Sequence, residues 1–185
     1  MVVSVFCAAI VSFAENQDDE TAAVATLKGF FAAFSVENYP NPEIHEWITD
    51  DFLIFEMGEA FDWPSFKGFL DGAGYANWLS TDWQFSDIRV SVSSDAAHIS
   101  YVNEGVFVYP DPDNAEQLLH ESNRWLESVY LIRDGDRFRI VKSTAGVPHI
   151  VREVSDDNVA PETEDGSHGS AANAQAEEAE NLDAT

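Results

Sequence analysis

One cysteine, nine basic residues and no uncharged apolar run of 20 residues mark this 185-residue chain, and each scarcity closes a class of function. Cys7 lies within the first fourteen residues, so the chain beyond them has no disulfide framework and no thiolate metal site. Nine Lys and Arg face 34 Asp and Glu, a formal charge of −25. A field of that sign repels nucleic acid and anionic bilayers, so neither is expected as a partner. His45, His98, His120 and His149 are scattered, without His-x-His or HExxH spacing, so no metal is expected. No Walker loop, G-x-S-x-G or G-x-G-x-x-G is present, and "DGAGY" lacks the preceding strand and glycine spacing of a dinucleotide site; no cofactor is expected either. What is plentiful is apolar surface: 45% of residues are hydrophobic and 12% aromatic, enough for one domain with a sizeable core.

The two ends differ from the middle. "MVVSVFCAAIVSFA" (1–14) is apolar and uncharged and then gives way to "ENQDDE". It is too short to span a bilayer, which takes about 20 residues, and reads as the apolar part of a secretory signal, predicting a secreted or periplasmic protein free of the membrane after cleavage. No Lys or Arg precedes the run, so a start upstream of Met1 and a buried N-terminal helix or strand stay open. Residues 153–185 hold ten acids, no Lys or Arg and no aromatic residue. They have too little apolar surface to offset the entropy of ordering, and are expected to form a disordered acidic tail. The remaining 24 acids against nine bases leave the body itself at −15.

Between these ends the spacing changes once. "DDETAAVATLKGFFAAFSV" places Val24, Leu27, Phe30, Phe31 and Phe34 at helical intervals, with acids at its expected start, where the helix dipole favours them. "PEIHEWIT" predicts a second, short helix, "DDFLIFEMG" a strand, and "DWPSFKGFLDG" a third helix with Pro64 near its start. From Asp82 onward four strand-like runs are divided by "SSD", "PDPDN" and "DGD". Helices first and long strands afterwards predict an α+β domain over 18–150, its helices on the concave face of a bent sheet.

Individual residues raise sharper questions. Phe138, Ile140, Lys142 and Thr144 share one parity, so on a regular strand an ammonium would lie on the same face as two core side chains. Such a lysine needs an acid partner or an escape to solvent along its own stem. The tryptophans and tyrosines supply a pocket lining or a core, Trp125 and Tyr130 being the favoured lining residues although they differ in parity. Tyr101, Asn103 and Glu104 occupy a strand with mixed faces, and Glu104 is a possible second pocket acid.

The element order, with "DDFLIFEMG", "PSFKGFL" and "RDGDRFRIVKST", resembles the NTF2-like superfamily, including its SnoaL-like and ketosteroid-isomerase branches, over about residues 18 to 148. The resemblance implies a cone: a curved antiparallel sheet packed on about three N-terminal helices, a pocket between them, and a homodimer. It puts Glu56 where ketosteroid isomerases hold the carboxylate that moves a proton, Phe30 where they have an oxyanion-binding tyrosine, and Ser128 where they have a protonated acid. With both oxyanion donors changed, steroid isomerisation is not expected. Lys142 and Thr144 fall where relatives carry histidines, which would bring Lys142 into the pocket with Glu56 as counterion, although Glu56 beside Gly58 can also reach water. The expected catalytic pair is therefore Glu56 and Lys142, and the expected ligand contacts are Phe30, Trp125, Ser128, Tyr130 and Thr144. The resulting reading is an exported domain that binds a small apolar or carbonyl-bearing molecule. Its alternatives are a cofactor-free isomerase, dehydratase or lyase with Glu56 as base, and a dimeric interaction module.

Overall fold

A computed structural model describes residues 5–114 and 116–155. The chain opens with α1 (Val5–Phe34), continues through α2 (Ile44–Trp47), β1 (Ile48–Glu56), β2 (Glu59–Asp62) and α3 (Trp63–Gly72), and ends in β3 (Ser80–Val92), β4 (Ala96–Pro110), β5 (Leu118–Asp134), β6 (Arg137–Ala145) and β7 (His149–Ser155). The strands lie in the order β2-β1-β6-β5-β4-β3, and β7 pairs with β5 off this path. Among the described residues every pairing is antiparallel except β1 with β6. Helices occupy one side of this curved, open sheet, the α+β arrangement expected from the element order and the cone that the resemblance implies.

The first helix begins earlier than its amphipathic stretch suggests. Because α1 already runs from Val5, Asp18, Asp19 and Glu20 lie in its middle, where a dipole argument has no force. Asp19 instead reaches Arg133 at 2.6 Å, and that guanidinium also lies over the Phe138 ring. Two turns further, Thr26 Oγ1 donates to Phe138 O at 3.0 Å. These contacts tie the helix to the β5–β6 hairpin, so Leu27, Phe30, Phe31 and Phe34 face the sheet and are buried with Phe52, Ile99, Leu131 and Ile140. The helix that carries the cavity's aromatic wall is thus fixed in position by polar contacts on its flank.

Gly29 lets α2 approach α1. A Cβ there would lie 2.5 Å from two Trp47 ring atoms, whereas one on Gly68, on the exposed side of α3, would meet nothing within 4 Å. Glycine in a helix costs about 1 kcal/mol relative to alanine, so Gly68→Ala should raise the melting temperature slightly. Gly29→Ala should lower it, because overpacking costs about 1–3 kcal/mol and outweighs the propensity gain. Thermal unfolding of the two variants tests this directly: a stabilised Gly29→Ala protein would mean that Trp47 does not hold the helices together.

At α3, Asp62 caps the start by accepting from Ser65 N at 2.9 Å, with Pro64 in the first turn. The last strand was not expected. β7 lies along the first half of β5, from Leu118 to Arg124, while β6 pairs with the second half, from Glu127 to Asp134. β7 therefore carries the sheet past residue 150 and takes in Glu153 to Ser155. The acidic tail expected from 153 otherwise lies outside the described residues, as do the side chains of the apolar leader.

Candidate functional site

A single irregularity in β6 redirects the residues read from its parity. Leu131 pairs with Ile140 but Tyr130 pairs with Lys142, so Val141 is an extra residue, a β-bulge. Phe138 and Ile140 are buried, the bulge shifts the alternation, and Ser143 is the next buried side chain, 3% exposed. Lys142 and Thr144 are exposed on the other face. The lysine Nζ lies 5.3 Å from the Phe55 ring centroid, and neither Lys142 nor Thr144 lines the cavity. The expected meeting of Lys142 with Glu56 inside the cone is corrected accordingly: a regular period of two does not survive the bulge.

The cavity occupies about 250 Å³ between α1, α3 and the concave face of the sheet. Phe30, Phe31 and Phe34 from α1 and Phe66, Phe69 and Leu70 from α3 form one side of it. Trp83, Phe107 and Trp125 approach from the sheet, their rings 5.2–6.3 Å apart. They converge over Gly105, where a Cβ would come within 2.8 Å of Phe107 and Trp83 ring atoms. Glycine at this position is what lets three large rings share one spot. Pro148, Ile150 and Arg152, from β7 and the loop before it, complete the lining.

The opposite wall is polar. Along β5 the side chains of Glu121, Asn123, Trp125 and Glu127 face inward, and Asn103 on β4 is directly across from Trp125. Asn103 is 1% exposed and donates through Nδ2 to Glu127 Oε1 at 3.3 Å. Asn123 Nδ2 donates to Glu121 Oε1 at 2.7 Å, and Glu121 Oε2 accepts from Tyr109 at 2.6 Å and from Arg152 Nε. Burial pushes the Glu121 carboxyl up, but these three donors outweigh it and hold its pKa below the usual value. Asn103 Oδ1, Asn123 Oδ1, Trp125 Nε1 and Glu127 Oε2 are buried without a hydrogen-bond partner among the described residues. So is the Tyr101 hydroxyl, although the Glu127 carboxyl is near enough to help burial raise its pKa well above normal.

Glu56 enters at the end of β1. Met57 (φ 51°) and Gly58 (φ 82°) make the tight reversal into β2, and Glu56, half-buried just ahead of it, lines the cavity. Burial raises its pKa to about 7 despite a backbone hydrogen bond from Met57. Glu127 is likewise raised to about 7, by burial first and also by the negative charge of Glu56, against the lowering influence of the neighbouring Tyr101 and Asn103. Two carboxyls raised to about 7 in one largely apolar cavity are equipped for acid–base work near neutral pH.

The expected site residues therefore separate. Glu56, Phe30 and Trp125 line the cavity. Tyr130 is 46% exposed, and Ser128, half-buried, alternates with the inward Glu127 and Val129, which puts it on the outer face. Glu104 also points outward, 3.4 Å from Arg124. Glu127, Asn123, Ser143 and Arg152 were not anticipated. Glu127 shares parity with Trp125, Val129 and Leu131, a signal masked by the equally apolar Leu126, Tyr130 and Ile132 on the opposite parity.

None of the family models and none of the curated proteins compared matches this sequence. Solved structures do. A ketosteroid isomerase candidate from Shewanella frigidimarina shares 16% identity, with 68% of this chain and 94% of that one superposed at a TM-score of 0.50. A dehydratase candidate of the NTF2-like family from Streptomyces avermitilis shares 15%, covering 71% and 99% at 0.52. The association domain of C. elegans CaMKII shares 14%, covering 72% and 98% at 0.54. This chain has the NTF2-like fold.

Proposed function

We propose that the protein binds a small, largely apolar molecule inside the cone, holding its polar group against the β4–β5 wall. The observation that carries this reading is the pairing of an aromatic cavity with buried polar atoms that no group among the described residues satisfies. Leaving such atoms unpaired costs about 1–3 kcal/mol each, a cost that a ligand's own polar group removes. A volume of about 250 Å³ lies just under the common range for ligand pockets, roughly 300–1,000 Å³, and suits a compact molecule.

A second reading goes one step further: Glu56 as a general base moves a proton on a carbonyl-bearing ligand while Trp125 and neutral Glu127 donate to its oxygen. It is favoured by two carboxyls raised to about 7 in one cavity, and it agrees with the isomerase and dehydratase descriptions of two structural neighbours. Lys142 has no part in it. The association-domain neighbour keeps an interaction role and a homodimer within the proposal, and export rests on the apolar leader alone.

Native mass spectrometry of protein purified under mild conditions tests the binding reading. A small-molecule adduct is expected in the wild type and should be absent from Leu70→Trp, which fills the cavity from α3. A folded Leu70→Trp variant that keeps the adduct would place the ligand elsewhere and defeat the reading.

A further inference from the structure

The unpaired atoms on the polar wall are of two kinds, and their arrangement specifies more than apolar character. Trp125 Nε1 can only donate. Asn103 can both donate and accept, but its amide is already oriented: Nδ2 is engaged by Glu127 Oε1, which leaves Oδ1 as a buried acceptor with no partner. Asn103 and Trp125 are direct partners across β4 and β5 and face the same cavity. Side chains so paired have Cβ atoms about 4.5–5.5 Å apart. A fixed donor and a fixed acceptor are therefore neighbours, both within a tenth of full burial. Asn123 repeats the arrangement one pair further along, its Nδ2 held by Glu121 and its Oδ1 unpartnered.

A ligand with only an acceptor would satisfy Trp125 and strand both amide oxygens. One with only donors would do the reverse. A carboxylate would add negative charge beside Glu56, Glu121 and Glu127, with Arg152 already bound to Glu121. We infer that Asn103 and Trp125 form a donor–acceptor clamp for an uncharged, flat molecule that carries a carbonyl and an adjacent N–H or O–H on one edge, as a cyclic amide does. The carbonyl accepts from Trp125 Nε1, the N–H donates to Asn103 Oδ1, and the ring packs against the aromatic side of the cavity. This rests on the binding reading above and narrows it to a chemical class.

Three bicyclic probes of nearly the same shape isolate the clamp: oxindole has both groups, 2-coumaranone has the carbonyl but an ether oxygen for the N–H, and 2-indanone has the carbonyl and a CH₂. Titration of the wild-type protein, followed by tryptophan fluorescence and calorimetry, should give oxindole an affinity about tenfold or more above the other two, the worth of one buried hydrogen bond. Asn103→Leu should abolish that preference while 2-coumaranone still binds. Trp125→Phe should weaken all three and leave their ranking intact. The wild-type ranking decides the matter even if a variant fails to fold. Binding of all three with equal affinity overturns the clamp and leaves the binding reading standing; a preference for oxindole that survives in folded Asn103→Leu protein also overturns it. If none of the three binds and the native mass spectrum shows no adduct, clamp and binding reading fall together.

Discussion

Replacing Glu127 with Gln raises the melting temperature at pH 8.5 and leaves it nearly unchanged below pH 5. Glu127 pairs with Tyr101 across β4 and β5 and accepts from Asn103, with Glu56 also acting on it, and no cation is among the groups that shift its pKa. Its carboxyl gives up a proton at about pH 7 when folded, against an ordinary value of 4.5. Below about 4.5 the acid is neutral in both folded and unfolded chains, and a glutamine in its place changes little. Between 4.5 and 7 the unfolded chain ionises first while the folded chain keeps its proton, so the wild type loses stability as pH rises. Above about 7 the loss is complete. A displacement of this size corresponds to roughly 3 kcal/mol, or roughly 5–10 °C for a chain of this length.

Gln keeps an oxygen that accepts from Asn103 and never carries the charge, so the gap between variant and wild type should open across that window and then level off. Scanning fluorimetry at half-unit steps from pH 4 to 9 measures it. A gap that is constant with pH would mean that Glu127 is solvated when ionised and that the cavity wall is wetter than its burial implies.

What was legible in the sequence, and what was not, follows from how local each feature is. The three helices and the long strands were marked by periodicity, Pro64 and the turn residues, all of which act over a few positions. The reach of α1 back to Val5 was hidden because the sequence around Asp18 to Glu20 has the look of a helix start, and only the distant Arg133 explains acids in mid-helix. The bulge at Val141 carries no composition signal at all; it is a property of the register between β5 and β6, and it reversed the reading of Lys142 and Thr144. β7 went unseen because Glu153 and the acids after it resemble the rest of the acidic tail, whereas its pairing partners on β5, from Leu118↔Ser155 to Arg124↔His149, are far away in sequence. Glu56 was found through the resemblance of its strand, "DDFLIFEMG", to that of the ketosteroid isomerases. Glu127 was not, since β5 is apolar on both parities and only the concavity of the sheet tells them apart.

Glu56→Gln should abolish proton exchange in this cavity while making the protein more stable. The general-base role requires an ionised Glu56, and its pKa of about 7 suits a base working at neutral pH. A ketone held with its oxygen toward Trp125 and neutral Glu127 presents its α-hydrogens to such a base, so the wild type should accelerate deuterium exchange at the α-carbons of 2-indanone, followed by proton NMR in D₂O. The rate should climb as Glu56 ionises and fall again as Glu127 loses the proton it donates, giving a narrow maximum near pH 7 that belongs to the pair. Loss of a positioned base typically costs about 10²–10⁴ in rate, the drop expected for Glu56→Gln. Because burial opposes the Glu56 charge, the same variant should melt higher than the wild type at pH 8.5, so the lost exchange cannot be blamed on unfolding. Glu127→Gln keeps an N–H donor at the same place and should remove the alkaline limb of the profile alone. Exchange that persists in folded Glu56→Gln protein, or a wild type no faster than buffer, would leave the cavity a binding site without proton chemistry.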